Sequence, residues 1–163
     1  MSLNVATLHL VCGKIAAGKS TLVSELGRSP NTIIVREDPW LAELYPDELH
    51  SLADYARCSA RLRRAIGPHL IEVLRGGLSV VLDFPANTVN TRAWMRGLFE
   101  GAQCAHRLHY IEVSDEVCKA RLRQRNEGGK HEFSVSDEQF DVFTSHFVPP
   151  SPEEMFNVTV HRP

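Results

Sequence analysis

The sequence predicts an α/β fold: a five-stranded parallel sheet with helices on both faces. Three observations carry this. Five short runs rich in apolar and β-branched residues recur along the 163 residues, each fit for a strand. Segments with helical spacing or helix caps separate them, as repeated strand–helix units require. Between the first run and the first helix lies Gly13-Lys14-Ile15-Ala16-Ala17-Gly18-Lys19-Ser20, a Gly-x-x-x-x-Gly-Lys-Ser phosphate-binding pattern in its strand–loop–helix setting.

Thr7 to Cys12 is the first strand, and Thr21 to Leu26 continues a helix that starts near Gly18 and stops at Gly27. Ser29-Pro30-Asn31 is a turn, and Thr32 to Val35 is a β-branched second strand. Pro39 keeps that strand from continuing. Residues Trp40 to Arg75 read as helical, with Pro46-Asp47 opening one helix and Gly67-Pro68 breaking it to start another that ends at Gly76-Gly77. Leu78 to Asp83 is the third strand and Thr91 to Gly101 a helix. His106 to Val113 is the fourth strand. Ser114 or Asp115 caps the next helix, which runs to Asn126 before Gly128-Gly129, a candidate hinge. Ser136 with Gln139 forms a capping-box pattern, opening a helix with Phe140, Phe143 and Phe147 at core spacing. Pro149-Pro150-Ser151-Pro152 is a rigid turn, and Phe156 to Val160 the last strand.

The loop chemistry follows from its residue types. Gly13 and Gly18 let backbone N–H groups approach an anion, and the helix start adds its positive dipole end. Lys19 reaches phosphate as a point charge, and the Ser20 hydroxyl suits magnesium. Ligands of open α/β sheets bind beyond the carboxyl ends of the strands. This puts Asp38, 18 residues after Ser20, near the loop on the acceptor side. Asp83, closing the third strand, is either a residue near the magnesium or a cap of the next turn. Arg57, Arg61 and Arg64 share one helix face, which either holds an anionic acceptor or is solvated. Trp40 and Tyr45 line an acceptor pocket or pack, and His131 contacts nucleotide or sits in a surface loop.

Composition bounds the partners. A net charge of -2 gives no global field for nucleic acid or an anionic membrane. No run approaches the ~20 apolar residues of a membrane span, and no secretory leader is read at the N-terminus. Cys12, Cys58, Cys104 and Cys118 form no C-x-x-C pair, so plain thiols in a reducing, cytoplasmic setting are expected. A GTPase would need Asp-x-x-Gly after the third strand, but Asp83 is followed by Phe84-Pro85-Ala86, and no Asn-Lys-x-Asp motif occurs. Phe84 also occupies the position where an ATP hydrolase often carries a carboxylate.

With these residues the chain resembles the small P-loop kinases: gluconate kinase, chloramphenicol phosphotransferase, the zeta-toxin kinases, the polynucleotide kinase domain, and above all the broad set of "predicted kinases" that carry an AAA-type ATPase label. The resemblance covers nearly the whole chain. It implies a P-loop NTPase three-layer sandwich, nucleoside-kinase-like, forming one domain over residues 1–163. An acceptor-binding helical region would span about 40–75 and a helical lid about 121–135.

The resemblance also implies ATP and Mg²⁺ as cofactors. Gly13, Lys14, Ala16, Ala17, Gly18, Lys19, Ser20 and Thr21 would hold the nucleotide, and Ser20 and Asp83 the metal. Asp38 would accept the proton of the acceptor hydroxyl, and Lys19 with the lid arginines Arg121 and Arg125 would stabilise the transferred phosphoryl group. Arg121 and Arg125 also have a plain reading as a solvated helix face. Ala17 stands where these families often have Gly or Ser. Residues 40–75 match no single acceptor class.

The expected activity is transfer of the ATP γ-phosphate to a hydroxyl of a small molecule by a monomer or dimer with no membrane partner. A kinase of nucleic-acid 5′-hydroxyls, with Arg57, Arg61 and Arg64 as its footprint, stands second. An ATP-binding regulatory module without transfer stands third.

Overall fold

The computed structural model describes residues 6–128 and 135–163. Five strands, β1 (Thr7–Cys12), β2 (Thr32–Arg36), β3 (Ser79–Pro85), β4 (Ala105–Ile111) and β5 (Val158–His161), form one sheet in the order β2-β3-β1-β4-β5. Every neighbouring pair is parallel. The chain crosses β1 on its way from β3 to β4, so the crevice beyond the carboxyl end of β1 is where such a sheet receives ligands.

Among the described residues six α-helices cover the sheet: α1 (Lys19–Leu26), α2 (Glu37–Leu44), α3 (Leu52–Arg75), α4 (Val89–Ala102), α5 (Asp115–Glu127) and α6 (Asp137–Ser145). Strand alternation sorts the core into two layers. Leu8, Leu10, Val80, Leu82 and Leu108 face α3 and α4, where Leu62, Leu70, Met95 and Phe99 meet them. Val11, Val81 and Ile111 face the other way, onto Val23, Cys118, Leu122 and Phe140 of α1, α5 and α6. Burial on both faces is why these strands read as continuous apolar runs. Of the four cysteines, which form no disulfide, three are buried and Cys104 is half-buried. Among the described residues no helix is long and apolar enough to cross a membrane.

The expected break at Gly67-Pro68 does not occur: α3 runs unbroken for 24 residues through Pro68. Pro68 is exposed, so its ring and the Arg64 carbonyl it cannot bond lie on the solvent side. Cys58, Leu62, Ile66, Leu70 and Leu74 on the opposite side are buried and hold the helix together. Its start is also later than Pro46-Asp47 suggested. Ser51 is the cap, accepting from the Asp54 amide at 3.1 Å. Gly27 ends α1 with φ −69°, ordinary for any residue. Space requires the glycine there, since a Cβ would lie 2.2 Å from Ile34 Cδ1.

The tail is fastened by Arg92 of α4, whose side chain is fully buried. Its Nε donates to Glu154 at 2.7 Å, and its Nη1 to the Ala86 and Val148 carbonyls at 2.9 and 2.7 Å. The expected capping box at Ser136 and Gln139 is present.

Candidate active site

The glycine loop lies between β1 and α1. Gly18, with φ +108°, takes the left-handed conformation that L side chains avoid. It supplies no side-chain cap to α1, so the first-turn N–H groups stay open toward the loop. Asn87, just after β3, clamps the loop from below. Its Oδ1 accepts from the Gly13 amide at 3.1 Å and its Nδ2 donates to the Gly13 carbonyl at 3.0 Å. Lys19 Nζ donates to the Gly13 and Lys14 carbonyls at 2.7 and 2.8 Å. Burial lowers the pKa of this ammonium, the charge of Asp83 opposes the shift and that of Arg125 adds to it. The Lys14 side chain points away, donating to the Val113 carbonyl at 3.0 Å and to Asp115 at 2.6 Å, and ties the loop to the start of α5. Ser20 and Thr21 lie exposed at the start of α1.

Two carboxylates stand beyond the strand ends. β2 stops at Arg36, and Glu37 opens α2 directly, so Asp38 belongs to a helix rather than to the strand end. Pro39 is the third residue of α2, where a helix has no use for an N–H donor. Arg36, registered against Asp83 across the sheet, donates to it at 3.2 Å. Asp38 is open to solvent as a residue, yet the protein around its carboxyl raises its pKa. The charge of Asp83 raises it further and Lys19 opposes. Lys19, Asp38 and Asp83 therefore sense one another.

Among the described residues no cluster of three or more His, Cys, Asp or Glu side chains could hold a metal alone. Magnesium takes one or two protein oxygens plus substrate phosphates and water. Ser20 and Asp83 are oxygen donors of the right kind.

On the other side of the loop is a cleft of about 440 Å³ lined by Gly18, Thr21, Leu22, Arg121, Arg125 and His161, among others. Its volume is within the range of ligand clefts. Arg121 Nη1 donates to the Ala16 and Ala17 carbonyls at 3.2 Å each. The structure thus brings Arg121 to the loop and Arg125 to the cleft beside it. His131 and most of the expected lid beyond Gly128 lie outside the described residues.

A family model described as an AAA domain matches residues 8–150. The chain belongs to the AAA domain family. No curated protein matches it. Solved structures similar to this AAA domain include kinases and Kti12. Kti12 from Chaetomium thermophilum, in complex with ADP-AlF3, has a TM-score of 0.69 at 15% identity, covering 95% of this chain and 88% of that one. The APS kinase CysC of Mycobacterium tuberculosis, in complex with AMPPNP and APS, has a TM-score of 0.64 at 18% identity, covering 98% and 89%. A gluconokinase from Sinorhizobium meliloti 1021 has 0.61 at 14%, covering 99% and 84%. The AAA domain described here has the P-loop NTPase kinase fold.

Not every expected residue reaches the site of this AAA domain. Arg57, Arg61 and Arg64 are exposed, and Arg57 is engaged by Glu48 and Asp54 at 3.4 and 3.5 Å. Trp40 borders an apolar hollow with Ile33, Ile66 and Val73 at the sheet edge, and Tyr45 packs on the core. The polar side chains that α3 turns toward α2 and α4 are Tyr55, Ser59 and Arg63, at i, i+4 and i+8. Tyr55 and Ser59 donate to Glu37, the latter at 2.7 Å. Glu37 is 2% exposed, and burial raises its pKa. Sequence reasoning missed Glu37, Arg63 and Asn87. The one legible signal was the stripe of Tyr55, Ser59 and Arg63, polar positions recurring at helical spacing.

Proposed function

We propose that this AAA domain is an ATP-dependent kinase that transfers the γ-phosphate to a hydroxyl of a small-molecule acceptor. The observation that carries this is the glycine loop between β1 and α1, with Lys19 and Arg121 both bonded to its carbonyls and Asp83 near the end of the neighbouring strand β3. The loop amides and the first turn of α1 bind the phosphates, and the cleft at Arg121 and Arg125 receives the rest of the nucleotide. Ser20 and Asp83 would hold Mg²⁺, which supplies charge neutralisation between the phosphates. Asp38 accepts the proton as the acceptor oxygen bonds to the γ-phosphorus and the bond to ADP breaks. Lys19, Arg121 and Arg125 offset the charge on the phosphoryl oxygens, which is most of what such a transfer demands of a protein.

The test is ADP release with Mg²⁺ against a panel of alcohols, sugar acids, nucleosides and 5′-hydroxyl oligonucleotides. Asp38→Asn should lower transfer roughly 100- to 10,000-fold with little change in ATP affinity, and Lys19→Ala should abolish transfer. Full activity in Asp38→Asn would refute the assignment of the base. Stimulation by oligonucleotides alone would replace the small-molecule reading with the nucleic-acid one. ATP binding with a flat panel would favour a regulatory module.

A further inference from the structure

A second, smaller cavity of about 90 Å³ lies between α2, α3, the end of β3 and the start of α4. Its lining includes Glu37, Ser59, Arg63, Phe84, Pro85 and Thr91. Two of these are sequence neighbours of the proposed catalytic carboxylates: Glu37 precedes Asp38, and Phe84 follows Asp83. Asp38 acts electrostatically on Glu37 and Tyr55, so the cavity lies toward the place where an acceptor hydroxyl would meet Asp38.

The cavity carries one basic and one acidic side chain, Arg63 and Glu37, whose charges act on each other. Arg63 is half-buried and, among the described residues, hydrogen-bonds only the Thr91 hydroxyl, at 3.3 Å. Its guanidinium lies 5.8 Å from the centre of the Trp94 ring. No carboxylate lies within ion-pair distance of Arg63 among the described residues, although Arg57, Arg75, Arg92 and Arg96 all have one. The nearby acid, Glu37, is occupied by Tyr55 and Ser59. An arginine fork has five N–H donors that match planar or tetrahedral oxyanions. A cavity walled by Phe84 and Pro85 strengthens such a contact by excluding water.

Resting on the kinase reading, we infer that the acceptor carries an anionic oxyacid group, a carboxylate or a phosphate ester, which Arg63 binds together with Thr91 while the acceptor hydroxyl faces Asp38. The arginines that the sequence offered for this task, Arg57, Arg61 and Arg64, lie on the outer side of the same helix. Arg63, one position away, points into the cavity.

The test measures direct binding by calorimetry to the full chain, in the presence of a non-hydrolysable ATP analogue and Mg²⁺. The panel contains hydroxy acids, sugar phosphates and the matching neutral polyols. At least one anionic class should bind and its neutral counterpart should not, and which class binds separates carboxylate from phosphate. Arg63→Gln should weaken that binding roughly 10- to 100-fold, Arg63→Lys should weaken it less, and affinity for the ATP analogue should stay the same in both. Comparable melting curves exclude a folding defect. Absence of Arg63-dependent binding by every anion overturns the inference, as does equal binding of the neutral polyols. Arg63-dependent anion binding without stimulated ADP release would leave this site standing and remove the kinase reading instead.

Discussion

Arg92 offers the sharpest test of how the fold supports the site. Its guanidinium is fully buried and makes five hydrogen bonds: two to Glu154, one each to the Ala86, Val148 and Pro149 carbonyls. Arg92→Met fills much of the same volume but donates nothing. It strands a carboxylate that is only 15% exposed, together with carbonyls that lose their partner. Breaking a buried ion pair from one side costs roughly 3–5 kcal/mol. In a domain of this size each kcal/mol moves Tm by about 2–4 °C, so the expected drop is about 6–20 °C.

Glu154→Gln keeps an acceptor for Arg92 and should cost less. The double variant should be more stable than the sum of the two losses predicts, because the stranded charge is gone. Urea unfolding of the four proteins measures this. A loss below about 1 kcal/mol for Arg92→Met would show that water reaches the stranded groups and that the network does not hold the tail.

Three other outcomes are expected. Asn87→Ala removes both bonds to Gly13 and should weaken ATP binding about three- to tenfold with a small change in Tm. Unchanged affinity by calorimetry would mean the loop holds its own shape. Gly27→Ala drives a methyl into Ile34 and should cost about 1–3 kcal/mol in urea unfolding while ATP affinity is kept, and a neutral result would show that Ile34 can turn aside. His109 is hydrogen-bonded to His9 at 3.1 Å and to His161 at 3.0 Å; burial, the two imidazoles and Arg107 lower its pKa to about 4. The unfolded chain takes up that proton near pH 6.5, so stability is full above that value and falls as the pH drops toward 4, by about 3 kcal/mol in all. His109→Asn should flatten this slope in urea unfolding at stepped pH, and an unchanged slope would place the acid sensitivity elsewhere.

The parts of the fold that depend on neighbours in sequence were readable. The five strands came from short apolar runs whose alternation feeds two cores. The loop came from glycines whose role is local, as φ +108° at Gly18 illustrates. Counting one helix and one strand put Asp38 on the loop side of the sheet, and its charge and that of Lys19 act on each other. What depended on the direction a helix faces was not readable. Arg57, Arg61 and Arg64 form as regular a stripe as Tyr55, Ser59 and Arg63, and only the packing of α3 on β3 and α4 decides which stripe turns inward. Pro68 misled for the same reason: a proline breaks a helix unless tertiary burial on the opposite side outweighs it, and that burial is invisible in the dipeptide.

The supports of the site are the least local of all. Asn87 and Gly13 are 74 positions apart, and nothing in a polar loop after a strand says which backbone it will clamp. The chain of contacts then continues outward. The Asn87 carbonyl accepts from the Val148 amide at 2.8 Å, the Val148 carbonyl accepts from Arg92, and Arg92 also holds Ala86, the residue before Asn87. The proline-rich tail, which reads as a mere turn, thus fixes the residue that fixes the phosphate loop. A weakening of the tail should therefore reach nucleotide affinity through Asn87, and the coupling between Arg92→Met and Asn87→Ala in ATP binding should be non-additive, since both act on the same loop.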